Sequence, residues 1–235
     1  MDLETAIKKP FSDFSKLVIG LLLSILPIVR WLAAGYILES SGVKTNSSPY
    51  MPDWKNWGNL FVKGFVYVLI SFIYIIPAIL ILFIGASSAI SAMAGVYIQN
   101  NVPGAGESVA AGSEDAVALA SVMENNWIEA VPAIIEAAPA VIIAIIIGIL
   151  AWYLLPIAVL NYIKTDTFSA AFRFKEIFKK AFTGQYFLVW LVILIISIVA
   201  GMILGLIPFI GGAIHYFLIG IFSFHLFGEV YLKLQ

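Results

Sequence analysis

Four uninterrupted apolar stretches, each about as long as a bilayer is thick, constrain this chain more than any other feature. They cover residues 65–85, 141–163, 186–209 and 213–232, and none contains a Lys or an Arg. A membrane-spanning helix needs about 20 mostly apolar residues. The sequence therefore predicts an all-α, polytopic integral membrane helical bundle that forms a single membrane domain over residues 1–235.

The composition excludes several other classes of protein. Of the 235 residues, 62% are hydrophobic and only 11% are charged, the net charge is -1, and cysteine is absent. A soluble domain carries about 25% charged residues, and a nucleic-acid-binding domain carries a basic surplus. We therefore expect the lipid bilayer as partner, no nucleic acid and no cofactor, and with two His and no Cys we expect no metal site.

The segment at residues 17–38 is long enough to cross a membrane, but Pro27 lies near its middle and Arg30 follows. A proline inside a helix removes a hydrogen bond and favours a kink or a break. The segment is therefore either one kinked span or a re-entrant pair of half-helices. A cleaved signal peptide is disfavoured because Arg30 interrupts the apolar core. Lysines flank both ends equally, which favours the re-entrant pair with a cytoplasmic N-terminus.

The distribution of charge predicts how the chain is oriented. No Lys or Arg occurs between Lys63 and Lys164, whereas acidic residues accumulate within residues 86–139. Because basic residues concentrate in cytoplasmic loops, we expect residues 86–139 to form an external acidic loop region with partial helix. The basic residues after residue 163 predict a cytoplasmic C-terminus for a multi-pass protein of the cell membrane.

Two segments predict cytoplasmic interfacial amphipathic helices. In residues 52–63, Trp54, Trp57 and Phe61 recur at helical intervals beside lysines. In residues 166–182 an apolar, Phe-rich arc is accompanied by basic residues. These are Arg173, Lys175, Lys179 and Lys180. A basic helix of this kind predicts contact with anionic lipid.

Short motifs hint at an internal repeat. Residues 24–29, with Pro27, are similar to residues 205–210, with Pro208. Short Leu, Ile and Pro strings also match by chance in so apolar a chain, so a true duplication remains one of two open interpretations.

Several stretches resemble the prokaryotic multi-pass membrane family known as domain of unknown function 4013. They are residues 9–20, 26–29, 34–36, 51–64 and 153–156. The most specific element is Pro-x-Trp-x-x-Trp-Gly, which here is Pro52, Asp53, Trp54, Trp57 and Gly58. The resemblance implies a multi-pass topology in which residues 85–139 are an insertion, and it carries over no catalytic residue. Arg30 departs from the neutral polar residue that the family pattern leads us to expect.

An ionisable residue inside an apolar segment is costly to bury in the membrane, so it is a candidate functional residue. Arg30, His225 and Glu229 qualify. His225 and Glu229 lie four residues apart on one helix face, as a proton relay, an ion site or a simple hydrogen-bonded pair at the interface requires. Arg30 either has a partner or extends its side chain to the membrane surface.

Small residues recur at four-residue intervals in the third apolar stretch. They are Ser197, Gly201 and Gly205. Such a face lets another helix approach closely, either a neighbouring span or a second copy of the chain.

No catalytic motif is present, so we expect no enzyme. The first functional hypothesis is a non-catalytic scaffold or accessory subunit that contacts lipid and a partner membrane protein or a second copy. The alternative is a small-solute or ion transporter or channel with proline-interrupted segments around a polar path near Arg30, His225 and Glu229. A third hypothesis is a membrane domain that accompanies an enzyme encoded elsewhere.

Overall fold

The structure, a computed structural model, describes residues 2–45, 48–101 and 127–235. Over these residues it contains eight α-helices and no strand, which confirms the predicted helical class. The α-helices are α1 (Leu3–Lys8), α2 (Phe14–Ile25), α3 (Arg30–Glu39), α4 (Trp57–Asn101), α5 (Trp127–Thr165), α6 (Phe174–Ala181), α7 (Gly184–Leu204) and α8 (Gly211–Lys233). Two 3-10 turns occupy Lys9–Phe11 and Phe168–Phe172.

Four helices are long and apolar enough to cross a membrane. The qualifying segments are Trp57–Ser87, Ile135–Thr165, Gly184–Leu204 and Gly211–Lys233. They coincide with the four predicted spans, and we describe the chain as a multi-pass membrane protein. The helical ends of the predicted loop region belong to α4 and α5, while residues 102–126 lie outside the described residues.

Pro77 and Pro156 lie inside continuous helices. The transporter alternative expects interruptions at Pro27, Pro77, Pro156 and Pro208, but α4 runs through Pro77 and α5 through Pro156. Only Pro27 and Pro208 fall in turns between helices. The expectation of broken segments is therefore wrong for the two prolines within α4 and α5.

The first apolar segment forms a helical hairpin, which we call the short hairpin (α2, the turn at residues 26–29, and α3). Leu26 is extended because a proline follows it, and this ends α2. The two helices pack together, and Lys9, ahead of α2, is hydrogen-bonded to Ser40, just after α3. The chain thus leaves the short hairpin at the end where it entered.

A second hairpin, the long hairpin, consists of α7, a turn at residues 205–210 that contains Pro208, and α8. Within it, α7 buries three of its 21 residues, whereas α8 buries twelve of its 23. Such a contrast is expected if α7 faces lipid and α8 lies in the centre of the bundle. Both α2 and α3 pack on α8.

Contacts divide the chain into two compact units. One contains Met1–Tyr74 and Trp152–Gln235, and the other contains Ile75–Ala151. In the second unit, α4 and α5 approach closely where Gly85 lies against Ala140. All the polar sites described below lie in the first unit.

The two predicted interfacial helices differ from what the structure contains. Residues 52–56 precede α4, which begins at Trp57 and continues into the span, so no separate helix covers residues 52–63. The predicted helix at residues 166–182 is instead a 3-10 turn followed by the eight-residue α6. Ala170, Ala171 and Ile177 are fully buried there and fix the segment to the bundle.

Candidate functional site

A polar cluster joins the N-terminal segment of the first unit to α8. The ammonium of Lys9, a residue only 1% exposed, donates hydrogen bonds to the carbonyls of Ser40 (2.8 Å) and Ser48 (2.6 Å). Its third partner is Nδ1 of His225, 3.0 Å away. An ammonium has three donors and no acceptor, so these contacts satisfy it fully. Lys9, His225 and Glu229 are called the Lys9 cluster below.

The contact with Lys9 determines the tautomer of His225. Because the ammonium can only donate, Nδ1 must accept, and the ring proton is therefore on Nε2. Nε2 lies 3.7 Å from Oε1 of Glu229, which is too far for a hydrogen bond. Among the described residues this buried Nε2 has no hydrogen-bond partner. The second carboxylate oxygen of Glu229 accepts from the backbone N–H of Asp2 at 3.2 Å.

Burial lowers the pKa of Lys9 to about 8, although the negative charge of Glu229 acts in the opposite direction. Lys9 is therefore charged at neutral pH. His225 and Glu229 lie on one face of α8, but their side chains are not hydrogen-bonded to each other. The sequence did not predict Lys9 as their partner, because a lysine ahead of an apolar segment is usually interfacial and no local pattern links residues 216 positions apart.

Arg30 lies apart from the Lys9 cluster. Its guanidinium carbon is 3.7 Å from the centre of the Tyr216 ring, which is a cation–π distance. Tyr216 precedes His225 by nine residues on α8, or about 13 Å along the helix axis. The structure therefore does not bring Arg30, His225 and Glu229 together, and Arg30 interacts with an aromatic face instead of an acid.

A second set of charged residues, of which Lys63 is buried, joins α3, α4 and the end of α5, and the sequence did not predict it. Lys63, 4% exposed, pairs with Glu39 and lies 4.0 Å from Asp166. Lys44 pairs with the same Asp166. From the sequence alone, Lys44 and Lys63 are interpreted only as basic residues that flank an apolar segment.

The basic segment presents a row of exposed aromatic rings. Phe174, Phe178 and Phe182 are all exposed, and their ring centres are 6.4 Å and 5.8 Å apart. Lys175 and Lys179, also exposed, alternate with them in sequence. We call these five residues the Phe–Lys face.

Two tyrosines tie the ends of the Phe–Lys face to spanning helices. The hydroxyl of Tyr74 donates to the carbonyl of Ala171 at 2.7 Å, and that of Tyr153 donates to the carbonyl of Ala181 at 2.6 Å. Tyr74 of α4 and Tyr153 of α5 thus both bond to the segment at residues 171–181.

Lys180 corrects the predicted set of lipid-facing basic residues. Its ammonium lies 3.8 Å from the centre of the Tyr231 ring and 3.4 Å from Oδ1 of Asn161. Tyr231 donates to the same oxygen at 2.8 Å. Burial lowers the pKa of Lys180. Lys180 is therefore a packing residue, and Arg173 is half exposed beside Glu176, 3.7 Å away.

The small-residue face of α7 packs inside the chain over part of its length. Nε2 of His215 donates to the carbonyl of Ser197 at 3.0 Å, and a side chain at Gly201 would meet the same imidazole at 3.5 Å. Gly205 is the last residue of this series and caps α7. Ser197 and Gly201 thus lie on the part of α7 that contacts His215 of α8.

The Pro-x-Trp element closes the open end of the short hairpin. Trp54 stacks on Tyr36 with ring centres 3.8 Å apart, and its indole N–H donates to the carbonyl of Lys16 at 3.2 Å. Tyr36 donates to the carbonyl of Pro52 at 2.7 Å. Asp53 pairs with Lys16 at 2.8 Å, and hydrogen bonds from Lys16 and Lys55 lower the pKa of Asp53 to about 2. We call this arrangement the Trp54 clip.

The clip is the structural form of the motif that carries the family resemblance. The family described as protein of unknown function (DUF4013) matches residues 18–209, which is most of the chain. The chain belongs to this family. No curated protein matches it, and no solved structure does.

The family match covers some of the candidate sites and not others. Residues 18–209 include Arg30, the Trp54 clip apart from Lys16, and the Phe–Lys face. They exclude Lys9 and all of α8, and with them the Lys9 cluster. The family description names no activity, so what the family does must be argued from the geometry of its members.

Proposed function

We propose that this DUF4013 protein is a non-catalytic membrane scaffold or accessory subunit that rests its Phe–Lys face on anionic lipid and engages partner proteins through its remaining exposed faces. The observation that supports this most is the Phe–Lys face itself. Three exposed rings in one row, with two exposed lysines between them, match what an interfacial helix needs to bind a charged lipid surface.

The electrostatics of this face support an anionic rather than a neutral lipid. Among the described residues no acidic group lies within 4 Å of Lys175 or Lys179, whereas Arg173 is compensated by Glu176. A lysine near an anionic surface contributes about 1 kcal/mol. The two lysines therefore contribute about 2 kcal/mol, and the rings add apolar burial.

The proposed orientation places the Phe–Lys face and both termini in the cytoplasm. The backbone N–H of Asp2 is bonded to Glu229, so the N-terminal segment lies beside the end of α8. The positive-inside rule then assigns this end to the cytoplasm and residues 86–139 to the outside. Epitope tags at residue 1 and at Gln235 should both be inaccessible in intact cells, and labelling of either tag from outside contradicts the orientation.

The transporter alternative has less support. It requires Arg30, His225 and Glu229 on one path, but Arg30 packs on Tyr216 while His225 is enclosed by Lys9 and Glu229. All three donors of the Lys9 ammonium are hydrogen-bonded, so this charge is held in place beside His225 and is not free to move along a path. We therefore favour a structural role for these residues.

Lipid binding tests the proposal directly. The full chain is purified, and the phosphatidylglycerol it retains is compared with phosphatidylcholine by native mass spectrometry. Replacing Lys175 and Lys179 with Gln should lower the preference for phosphatidylglycerol by roughly thirtyfold, because about 2 kcal/mol of attraction is lost. Replacing Lys8 and Lys233 with Gln removes the same charge elsewhere and should preserve most of the preference. An equal effect of both pairs contradicts the proposed role of the Phe–Lys face.

A further inference from the structure

A cavity of about 280 Å³ lies inside the first unit, and none of the residues discussed as a polar path lines it. One wall is a face of α8, to which His215, Ile219, Ser223 and Phe227 contribute at four-residue intervals. These positions extend over about 18 Å of helix. The cavity is therefore a slot that is parallel to a spanning helix, and we call it the α8 slot.

The lining of the α8 slot is mostly apolar, with a few polar side chains that include Ser197, His215 and Ser223. Trp190, Ile193 and Leu194 of α7 and Pro156 of α5 form much of the opposite wall. A mostly apolar pocket with a few polar groups is typical of a site for an apolar ligand with a polar end. Its volume is near the lower end of the range for small-molecule sites, which is about 300–1,000 Å³.

One end of the slot carries a hydrogen-bonding group. Because Nε2 of His215 donates to the carbonyl of Ser197, the lone pair of the imidazole is on Nδ1. Among the described residues Nδ1 has no hydrogen-bond partner. His215 is the fifth residue of α8, about one turn from the helix start, whereas the apolar part of the slot extends toward the middle of the span.

The slot reaches the lipid-facing surface. Trp152 lines it and is also 49% exposed, on a helix that the sequence and the structure both identify as a span. A molecule can therefore enter from the bilayer. Its polar end would lie near the membrane surface at His215, and its hydrocarbon would point inward, which is the orientation of a lipid in a leaflet.

From these features we infer that the α8 slot binds one hydrocarbon chain of a bilayer amphiphile, with a hydrogen-bond donor of that amphiphile at Nδ1 of His215. This site is separate from the Phe–Lys face and goes beyond the scaffold proposal. A protonated fatty acid, a fatty alcohol and a phospholipid whose headgroup contains a hydrogen-bond donor share this chemistry, and the experiment below distinguishes the single-chain source from the phospholipid.

The test uses photolabelling of the purified full chain. The probes are palmitic acid with a mid-chain diazirine, and phosphatidylethanolamine with the same chain, each competed with its unlabelled counterpart. Binding in the slot should give saturable labelling that maps to residues 190–197 and 215–227. Saturation by the free acid identifies a single-chain ligand, and saturation by the phospholipid alone identifies a phospholipid chain.

Leu194→Trp fills the slot and should lower saturable labelling by about tenfold, which corresponds to roughly 1.4 kcal/mol of binding free energy. The matched control is Ile195→Trp on the adjacent, exposed position of α7, which should leave labelling unchanged. Size-exclusion elution verifies that both variants are folded. The wild-type competition decides the question even if Leu194→Trp does not fold, because labelling that never saturates, or that maps outside these segments, overturns the inference.

Discussion

The short and the long hairpin both have a proline in the turn, but their helices differ in length. The short hairpin has helices of 12 and 10 residues, and the long hairpin has helices of 21 and 23 residues. At 1.5 Å per residue these helices measure about 18 and 15 Å against about 31 and 34 Å. The hydrocarbon core is about 30 Å thick, so each helix of the long hairpin is long enough to cross it, whereas neither helix of the short hairpin is by itself.

The two hairpins also differ in what holds them. The short hairpin is fastened by polar groups at its open end, through Lys9 and the Trp54 clip. The long hairpin is held mainly along its length, including the close approach of Gly211 to Leu204 beside the turn. Short helices bury too little apolar surface to hold each other, and this explains why the short hairpin has additional fastenings.

The largest effect on stability is expected from a substitution where α3 of the short hairpin packs against α4. A side chain at Gly64 would lie 1.7 Å from the carbonyl oxygen of Trp31, whereas one at Gly58, on the same helix, meets no atom within 4 Å. Gly64→Ala should lower the free energy of unfolding by about 3 kcal/mol, since backbone must move. Gly58→Ala should not lower it. Thermal melts followed by size-exclusion chromatography measure both, and equal melting temperatures would contradict the close contact.

The long hairpin offers adjacent glycines for a matched comparison. A side chain at Gly211 would lie 1.9 Å from the carbonyl oxygen of Leu204, while one at Gly212 meets nothing within 4 Å. Gly211→Ala should cost about 2 kcal/mol of unfolding free energy, and Gly212→Ala should cost nothing measurable. If both variants melt together, the turn is looser than the structure indicates, and the contrast between the hairpins weakens.

The Trp54 clip should matter to a smaller extent. Trp54→Ala removes the stack on Tyr36 and the hydrogen bond to Lys16, which should cost about 2 kcal/mol of unfolding free energy. Trp57→Ala, at a position 45% exposed, should cost less. Cysteine pairs placed at the open end of the short hairpin should also crosslink more slowly in Trp54→Ala. An unchanged crosslinking rate would mean that the Lys9 cluster alone closes this end.

A dependence on pH is also expected from Lys9, and it appears only above about pH 8. Its pKa is about 8 in the folded chain and 10.5 when unfolded, so between these values the unfolded chain binds more protons. The folded state therefore gains stability as pH rises from about 8 to 10.5. Relative to Lys9→Met, the wild-type melting temperature should rise across this window. The control is Lys8→Met, at an exposed neighbouring position, which should retain the rise in melting temperature. If the rise is lost in this variant, the pH dependence belongs to a group other than Lys9.

The sequence predicts the features of this fold that depend on composition. Runs of 20 apolar residues without Lys or Arg identify the spans, because a charged side chain is costly to place in the hydrocarbon core. The boundaries were less predictable: α4 and α5 extend well beyond their apolar parts, since polar and small residues also continue a helix. The family resemblance was confirmed over residues 18–209.

The candidate site was less predictable, because its partners come from distant parts of the chain. His225 and Glu229 share a helix face and could be paired from spacing alone, but Lys9 could not be added to them. The inward orientation of the Lys180 side chain could not be predicted from the sequence either. A helical wheel places it with its basic neighbours, whereas packing against Tyr231 of a different helix turns it inward.

The contact between Lys9 and His225 affects the order in which this protein assembles during translation. The two residues are 216 positions apart, so at 5–20 residues per second the ribosome adds the second about 10–40 s after the first. The helices α1, α2 and α3 are thus synthesised well before α8, on which all three pack. Until α8 follows, the short hairpin lacks this packing partner.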